Sequence, residues 1–200
     1  MSDFAARAEE LVEAGRYLYA QGMVPATSGN FSARLSDDTL AVTVSGRHKG
    51  KLTVADIMRV DSDGNSLDGR RPSAETLLHT QIYNRFDDAR VILHPHSVAA
   101  TVLSLMSHDQ VLLQDYELLK AFPGVVTHDH RVCVPVFDND QDIARLAALV
   151  DARLAQQCDA PGYLIRGHGF YTWGASTDDA LRHIEAFEFL FNCELRLQGK

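Results

Sequence analysis

The chain of 200 residues holds only three cysteines, Cys133, Cys158 and Cys193, far apart and without a C-x-x-C pair. An odd, scattered set of thiols argues against a disulfide framework and a thiolate zinc site, and it suits a reducing cytoplasm. No apolar run approaches the ~20 residues needed to span a bilayer. The opening MSDFAARAEELVEAG carries acids where a secretory leader has a basic region, so the chain reads as soluble and untargeted. Positive charge is scarce as well: 19 Lys and Arg stand against 27 Asp and Glu, a formal net charge of -8. That balance opposes binding to nucleic acid or an anionic membrane surface, and an anionic substrate would need a local site of its own.

What is present is apolar periodicity enough for a real core. Phe4, Ala8, Leu11, Val12, Leu18 and Tyr19 fall at helical spacing behind a possible Ser2 cap, with Gly22 placed to end the helix. FSARL and LAVTV read as extended runs, Thr53 with Asp56 as a helical turn, and Asp63-Gly64 as a tight turn. Pro72 and Ser73 are expected to open a helix running to about Phe86, with Ser73 as its cap. The strand VILH follows, then short helices at Ser97–Leu105 and Asp115–Phe122, the strand VCVPVF, and a helix from Asp140 to Gln157 with acids in its first turn. The hairpin GYLIRG/GFYTW and a helix from about Thr177 to Leu197 close the chain. There is no linker, repeat or strict βαβ rhythm. Residues 1–200 are therefore expected to form a single-domain α/β/α sandwich with a mostly antiparallel central sheet.

Chemistry concentrates in the histidines. In VILHPHSVAA, His94 and His96 are two residues apart, hence on one face of an extended segment, where an apolar strand meets the rim of the sheet. Zinc and similar ions need three or four converging N, O or S ligands, and H-x-H supplies two. The best third candidate is His168 in IRGHGFYTWG, whose flanking glycines permit a sharp bend and close approach. His48 and His108 sit in polar loops, and His183, near Glu185 and Glu188, reads as a surface residue. His79, His128 and His130 stay open. Neither acidic stretch, DSDGNSLDGRRP nor DNDQDIARLAAL, has the glycine and terminal glutamate of a calcium loop.

Three small hydroxyl-rich turns, Thr27 to Asn30, Ser45-Gly46 and Pro72 to Glu75, have the composition of an anion cradle, which works even in an acidic protein. Turns and caps use the same residues. Arg47 and Lys49 beside the second turn could add charge to it, though an exposed basic pair is usually just solvated.

In order along the chain, Ser28 to Asn30, Ser45-Gly46, Ser73 to Glu75, His94 to His96 and Arg166 to Gly169 resemble the S-G-N, S-G, S-x-E, H-x-H and R-x-H-G pattern of the class II aldolase and adducin family. PSAETLLHTQIY, HSVAATVLS, YELLK, VPVFDNDQDI and LIRGHGFYTWG are most similar to the sugar-phosphate dehydratases of that family. The resemblance implies one zinc ion per subunit held by His94, His96 and His168, and substrate phosphate at Gly29, Asn30, Ser45, Gly46 and Ser73. It also implies a homotetramer with active sites near subunit boundaries, and loss of water from a phosphorylated ketose. Glu117 matches the acid/base of the dehydratases and is expected to carry proton transfer; Glu75 matches the glutamate of the sugar aldolases and is expected near the metal as orienter or second acid. His79, four residues after Glu75 and on the same helical face, is placed either to orient that carboxylate or to form an ordinary ion pair with it. Tyr116, Tyr171 and Trp173 are candidates to line the apolar part of the substrate pocket. Pro95 and Ala74 depart from the family's usual threonine and serine. Two further readings are an aldolase or epimerase on this scaffold, and an adducin-like binding module without catalysis, against which the intact histidine trio argues.

Overall fold

A computed structural model describes residues 3–156 and 159–199; the Ser2 cap, Gln157 and Cys158 lie outside these. The elements are α1 (Asp3–Ala20), β1 (Asn30–Arg34), β2 (Leu40–Thr43), β3 (Ile57–Val60), α2 (Thr76–Arg85), β4 (Val91–His94), α3 (Val98–Met106), β5 (Gln110–Gln114), β6 (Arg131–Phe137), α4 (Ile143–Gln156), β7 (Gly162–Ile165), β8 (Gly169–Gly174) and α5 (Thr177–Leu197). The eight strands form one sheet in the order β3-β2-β1-β4-β8-β7-β6-β5. Every pairing is antiparallel except that of β6 with β7.

Strand alternation sorts the core into two halves. Val91 and Leu93 join a cluster with Leu11 and Leu18 of α1, Leu103 of α3 and Phe187 of α5. Ile92, between them, joins Leu78 and Ile82 of α2 and Leu146 and Val150 of α4. The helices therefore cover both faces, α1, α3 and α5 on one and α2 and α4 on the other. Full burial of a Leu or Ile of this kind stabilises the fold by roughly 1.5–3 kcal/mol. The same alternation puts Asn30 and Ser32 of β1 and His94 of β4 on the α2 face, since Phe31, Ala33 and Leu93 belong to the opposite cluster.

Several boundaries differ from expectation. α2 begins at Thr76, not Ser73, and Ser73 does not cap it; instead the Ser73 carbonyl accepts from Thr76 N at 3.2 Å and the segment bends. α4 begins at Ile143, so Asp140 precedes its first turn, while Asp142 accepts from Arg145 N at 3.1 Å as a cap does. Residues 117–121 make a 3-10 turn. β3 and the edge strand β5 were missed, although β5 alternates exposed and buried positions, QVLLQ, as a half-covered strand does. Among the described residues no helix is long and apolar enough to cross a membrane, and Cys133 and Cys193 are free thiols.

Candidate metal centre and cleft

β4 stops at His94, whose ring is fully buried. Its Nδ1 lies 2.8 Å from the carbonyl oxygen of Phe170. A carbonyl only accepts, so Nδ1 carries the proton and Nε2 presents a lone pair. Tyr171 stacks on the ring with centroids 4.0 Å apart and fixes its plane. Beyond Pro95 the chain turns His96 back, so that its Nε2 comes 2.9 Å from that of His94. The missing amide of Pro95 costs nothing here because the strand has ended, and its carbonyl accepts from Phe170 N at 3.2 Å.

His168 arrives on the turn between β7 and β8. Gly167 adopts φ +65° there, and at Gly169 a Cβ would stand 2.3 Å from the Pro95 carbonyl oxygen, so only glycine lets the two segments touch. One nitrogen from each of His94, His96 and His168 then lies within 4.8 Å of the others. Burial, followed by the charge of His168, holds the pKa of His94 well below its ordinary value; burial, followed by His94 and His168, brings that of His96 to about 3. Both rings are neutral at pH 7, the form that binds a metal. Three convergent imidazoles, one with its tautomer fixed from behind, fit a divalent ion of the zinc type.

Glu75 completes this group. One carboxylate oxygen lies 3.4 Å from His94 Nε2 and the other 3.3 Å from His168 Nε2. The later start of α2 explains its position: Glu75 precedes the helix instead of lying on its first turn. Asn30 Nδ2 donates to the carboxylate at 2.7 Å and Tyr171 OH at 3.1 Å. Since a carboxylate only accepts, Asn30 must present its NH2 to Glu75 and its oxygen to His79 Nε2, which donates to it. His79 Nδ1 then accepts from Ser32 Oγ at 2.7 Å, and Ser32 accepts from Tyr83 OH at 2.9 Å. Burial keeps His79 neutral, lowering its pKa to about 4. His79 does orient Glu75, as its spacing suggested, but through Asn30. The Asn30 side chain is thereby held at both ends, with the second N–H of its amide not used by Glu75, and the residue lines the cleft.

A cleft of about 320 Å³ opens over these groups, walled by Thr27 to Asn30, Ser45-Gly46, Ser73 to Glu75, His96 and His168. The three small turns, distant in sequence, thus face one space together with the histidines. Asn139, Asp140 and Gln141 also line it; they belong to the VPVFDNDQDI segment and precede α4, which starts at Ile143, instead of opening that helix. A larger groove of about 600 Å³ lies elsewhere, beside α4 and β6. Arg166 on its wall is occupied in fastening the end of α3, through the carbonyls of Ser104 and Ser107 at 2.9 and 2.5 Å, and in pairing with Asp138 at 2.7 Å.

Other candidates fall outside the cleft. Glu117 follows the edge strand β5, which three strands separate from β4, with a side chain 75 % exposed and Lys120 Nζ at 2.5 Å; that bond and charge lower its pKa. Tyr116 donates to Glu194 at 2.7 Å. Trp173 stacks on Phe86 at 4.8 Å and packs the core. His128 pairs with Asp129 on the surface, and His130 is exposed. Two expectations are reversed. His183 is buried, its Nδ1 2.8 Å from the Trp173 carbonyl, because it lies on the inner face of α5 with Ile184 and Phe187. Lys49, expected in solvent, is buried in the cleft wall; Arg47 stays exposed and pairs with Asp56 at 3.2 Å.

Fold and centre together define an α/β enzyme scaffold built around three histidines that could hold a metal ion. A family model, Class II Aldolase and Adducin N-terminal domain, matches residues 9–195, and the chain belongs to that family. It is 59 % identical over 198 residues to the methylthioribulose-1-phosphate dehydratase of Methylococcus capsulatus, covering 99 % of this chain and 97 % of that one. It is 58 % identical over 191 residues to the protein of the same name from Pseudomonas aeruginosa, covering 94 % and 93 %. Among solved structures, L-fuculose-1-phosphate aldolase from Thermus thermophilus superposes with a TM-score of 0.77 at 28 % identity, over 98 % of this chain and 99 % of that one. YgbL of Escherichia coli shares the fold with a TM-score of 0.83 at 24 % identity, over 97 % and 90 %.

Proposed function

We propose that this chain is a zinc-dependent hydro-lyase that dehydrates 5-methylthioribulose 1-phosphate to 2,3-diketo-5-methylthiopentyl 1-phosphate, a step of methionine salvage, in the cytoplasm. The observation that carries the proposal is the convergence of His94, His96 and His168 around Glu75 beneath the three small turns. The near-full-length identity to the dehydratases named above selects the substrate.

His94, His96 and His168 would hold the ion, which would supply a Lewis acid to offset the negative charge that develops on the substrate as its proton leaves. The chain's own residues supply the rest. Gly29, Asn30, Ser45, Gly46 and Ser73 offer small turns to the phosphate, leaving the sugar carbons over Glu75. The reaction removes a proton from C3 and the hydroxyl from C4 as water, and the enol so formed ketonises to the diketone. Each proton transfer needs a carboxyl group within hydrogen-bond reach. Glu75 supplies one, with Asn30 and Tyr171 holding it. Glu117 remains our choice for the acid/base at C4; lying outside the cleft of its own subunit, it would enter that of a neighbour in a homotetramer with active sites at subunit boundaries.

The test is incubation with 5-methylthioribulose 1-phosphate, following the diketone with and without a chelator. Chelator-sensitive diketone formation supports the proposal. Release of dihydroxyacetone phosphate would establish an aldolase instead, and metal binding without any turnover a binding module.

A further inference from the structure

Lys49 is 2 % exposed, one of the largest fully buried side chains of the molecule. It is buried because its 3-10 turn is pressed onto α1: at Gly15 a Cβ would stand 2.8 Å from the Lys49 carbonyl oxygen. Its Nζ donates to the carbonyl oxygen of Thr27 at 3.0 Å and to that of Arg47 at 2.7 Å. The ammonium thus bridges the Thr27–Asn30 turn and the segment after Ser45-Gly46, two of the turns that wall the cleft. Among the described residues no Asp or Glu oxygen lies within 4.0 Å of it to form an ion pair. Two neutral carbonyls leave one of its three N–H bonds without a partner and its charge without an ion pair, and a poorly compensated buried charge is costly. The expense is visible in a pKa lowered to about 8 by burial, with Glu75 only partly opposing. Lys49 is also the one lysine or arginine among the described residues lining the cleft, and beside Thr27 the Ser28 hydroxyl is buried with no partner.

The geometry points to Lys49 as the charged residue of the anion subsite, binding the substrate's phosphate where the two turns meet, with the Ser28 hydroxyl as an additional neutral donor. This rests on the proposed reaction of a phosphorylated ketose and adds the counter-charge that the glycine and serine turns lack in a protein of net charge -8. A charge-assisted bond to phosphate that also relieves a buried ammonium is stronger than one made by a solvated lysine.

The experiment compares wild type with Lys49→Gln, Lys49→Met and Lys49→Arg, measuring steady-state kinetics, inhibition by inorganic phosphate, zinc content and thermal unfolding with and without phosphate. Lys49→Gln and Lys49→Met are expected to raise KM and weaken phosphate inhibition together by about 10- to 100-fold, with the loss falling on KM far more than on kcat. Zinc content stays at the wild-type level, phosphate no longer raises the melting temperature, and Lys49→Arg recovers part of the affinity. If Lys49 only ties two turns together, Lys49→Gln keeps wild-type phosphate inhibition even where Lys49→Met loses it, and the inference is overturned. Lys49→Gln retains an amide for the two carbonyls, so it separates the lost tie from the lost charge. Wild type that binds phosphate through Lys49 but does not consume the ketose phosphate would refute the proposed reaction and leave this subsite standing.

Discussion

His94 Nδ1 donates to the Phe170 carbonyl across 2.8 Å, and this bond decides which nitrogen of a fully buried ring meets the cleft. The partner is backbone, on a strand paired with His94's own, so the tautomer is set by the sheet itself. His94→Gln, which lacks an imidazole nitrogen at that place, should purify with zinc falling from about one per chain toward none. Elemental analysis checks this; unchanged zinc content would mean that His94 is not a ligand.

Glu75 sets one carboxylate oxygen against His94 Nε2 and the other against His168 Nε2. Glu75→Gln keeps the volume and the contact with Tyr171, and it should bind zinc while turnover falls by about two to four orders of magnitude, the usual worth of general acid/base help. Stopped assays with parallel zinc analysis decide it. A variant that turns over at nearly the wild-type rate would remove Glu75 from the chemistry.

Glu117 poses a different problem, because its exposed carboxylate pairs with Lys120 away from the cleft. If it serves a neighbouring subunit, Glu117→Gln and His96→Ala should each be inactive, yet mixed and reassembled chains should regain part of the activity through sites that draw His96 from one chain and Glu117 from the other. Sedimentation of the mixture confirms reassembly. Reassembled mixtures with no activity would contradict action across the boundary.

His79 links folding to pH. Its pKa is lowered from 6.5 to about 4 by burial, so between these values the unfolded chain binds a proton that the folded chain refuses. Its neutral form therefore contributes stability fully above pH 6.5, and this is lost as pH falls toward 4, in total about 3 kcal/mol. His94 and His96 act in the same direction in the metal-free protein. Urea unfolding of apo protein at pH 7 and pH 4.5 should show the loss, smaller in His79→Gln; an equal loss in both would mean that His79 titrates normally.

The sandwich was legible because its helices and inner strands carry strong periodicity, as in Leu11, Leu18 and Val91 to His94. The edge strand β5 was harder, since its alternation spans five residues between helices. His94, His96 and His168 were legible from type and flanking glycine. Lys49 was not: its burial comes from contact with Gly15, thirty-four positions earlier, and no local pattern reports that. His183 was misplaced because Glu185 and Glu188 beside it on α5 suggested solvent, while its own position shares a face with Phe187. Asn30 was grouped with its turn, although as the first residue of β1 it follows the strand's alternation and points its amide at Glu75.

The most direct measurement is X-ray absorption at the zinc edge of the active, metal-loaded protein, repeated on His168→Ala. Three nitrogen ligands at about 2.0–2.1 Å, becoming two in the variant as turnover is lost, is the expected result. A fully active protein without metal, or a zinc shell that keeps its three nitrogens when His168 is gone, would contradict the centre described above.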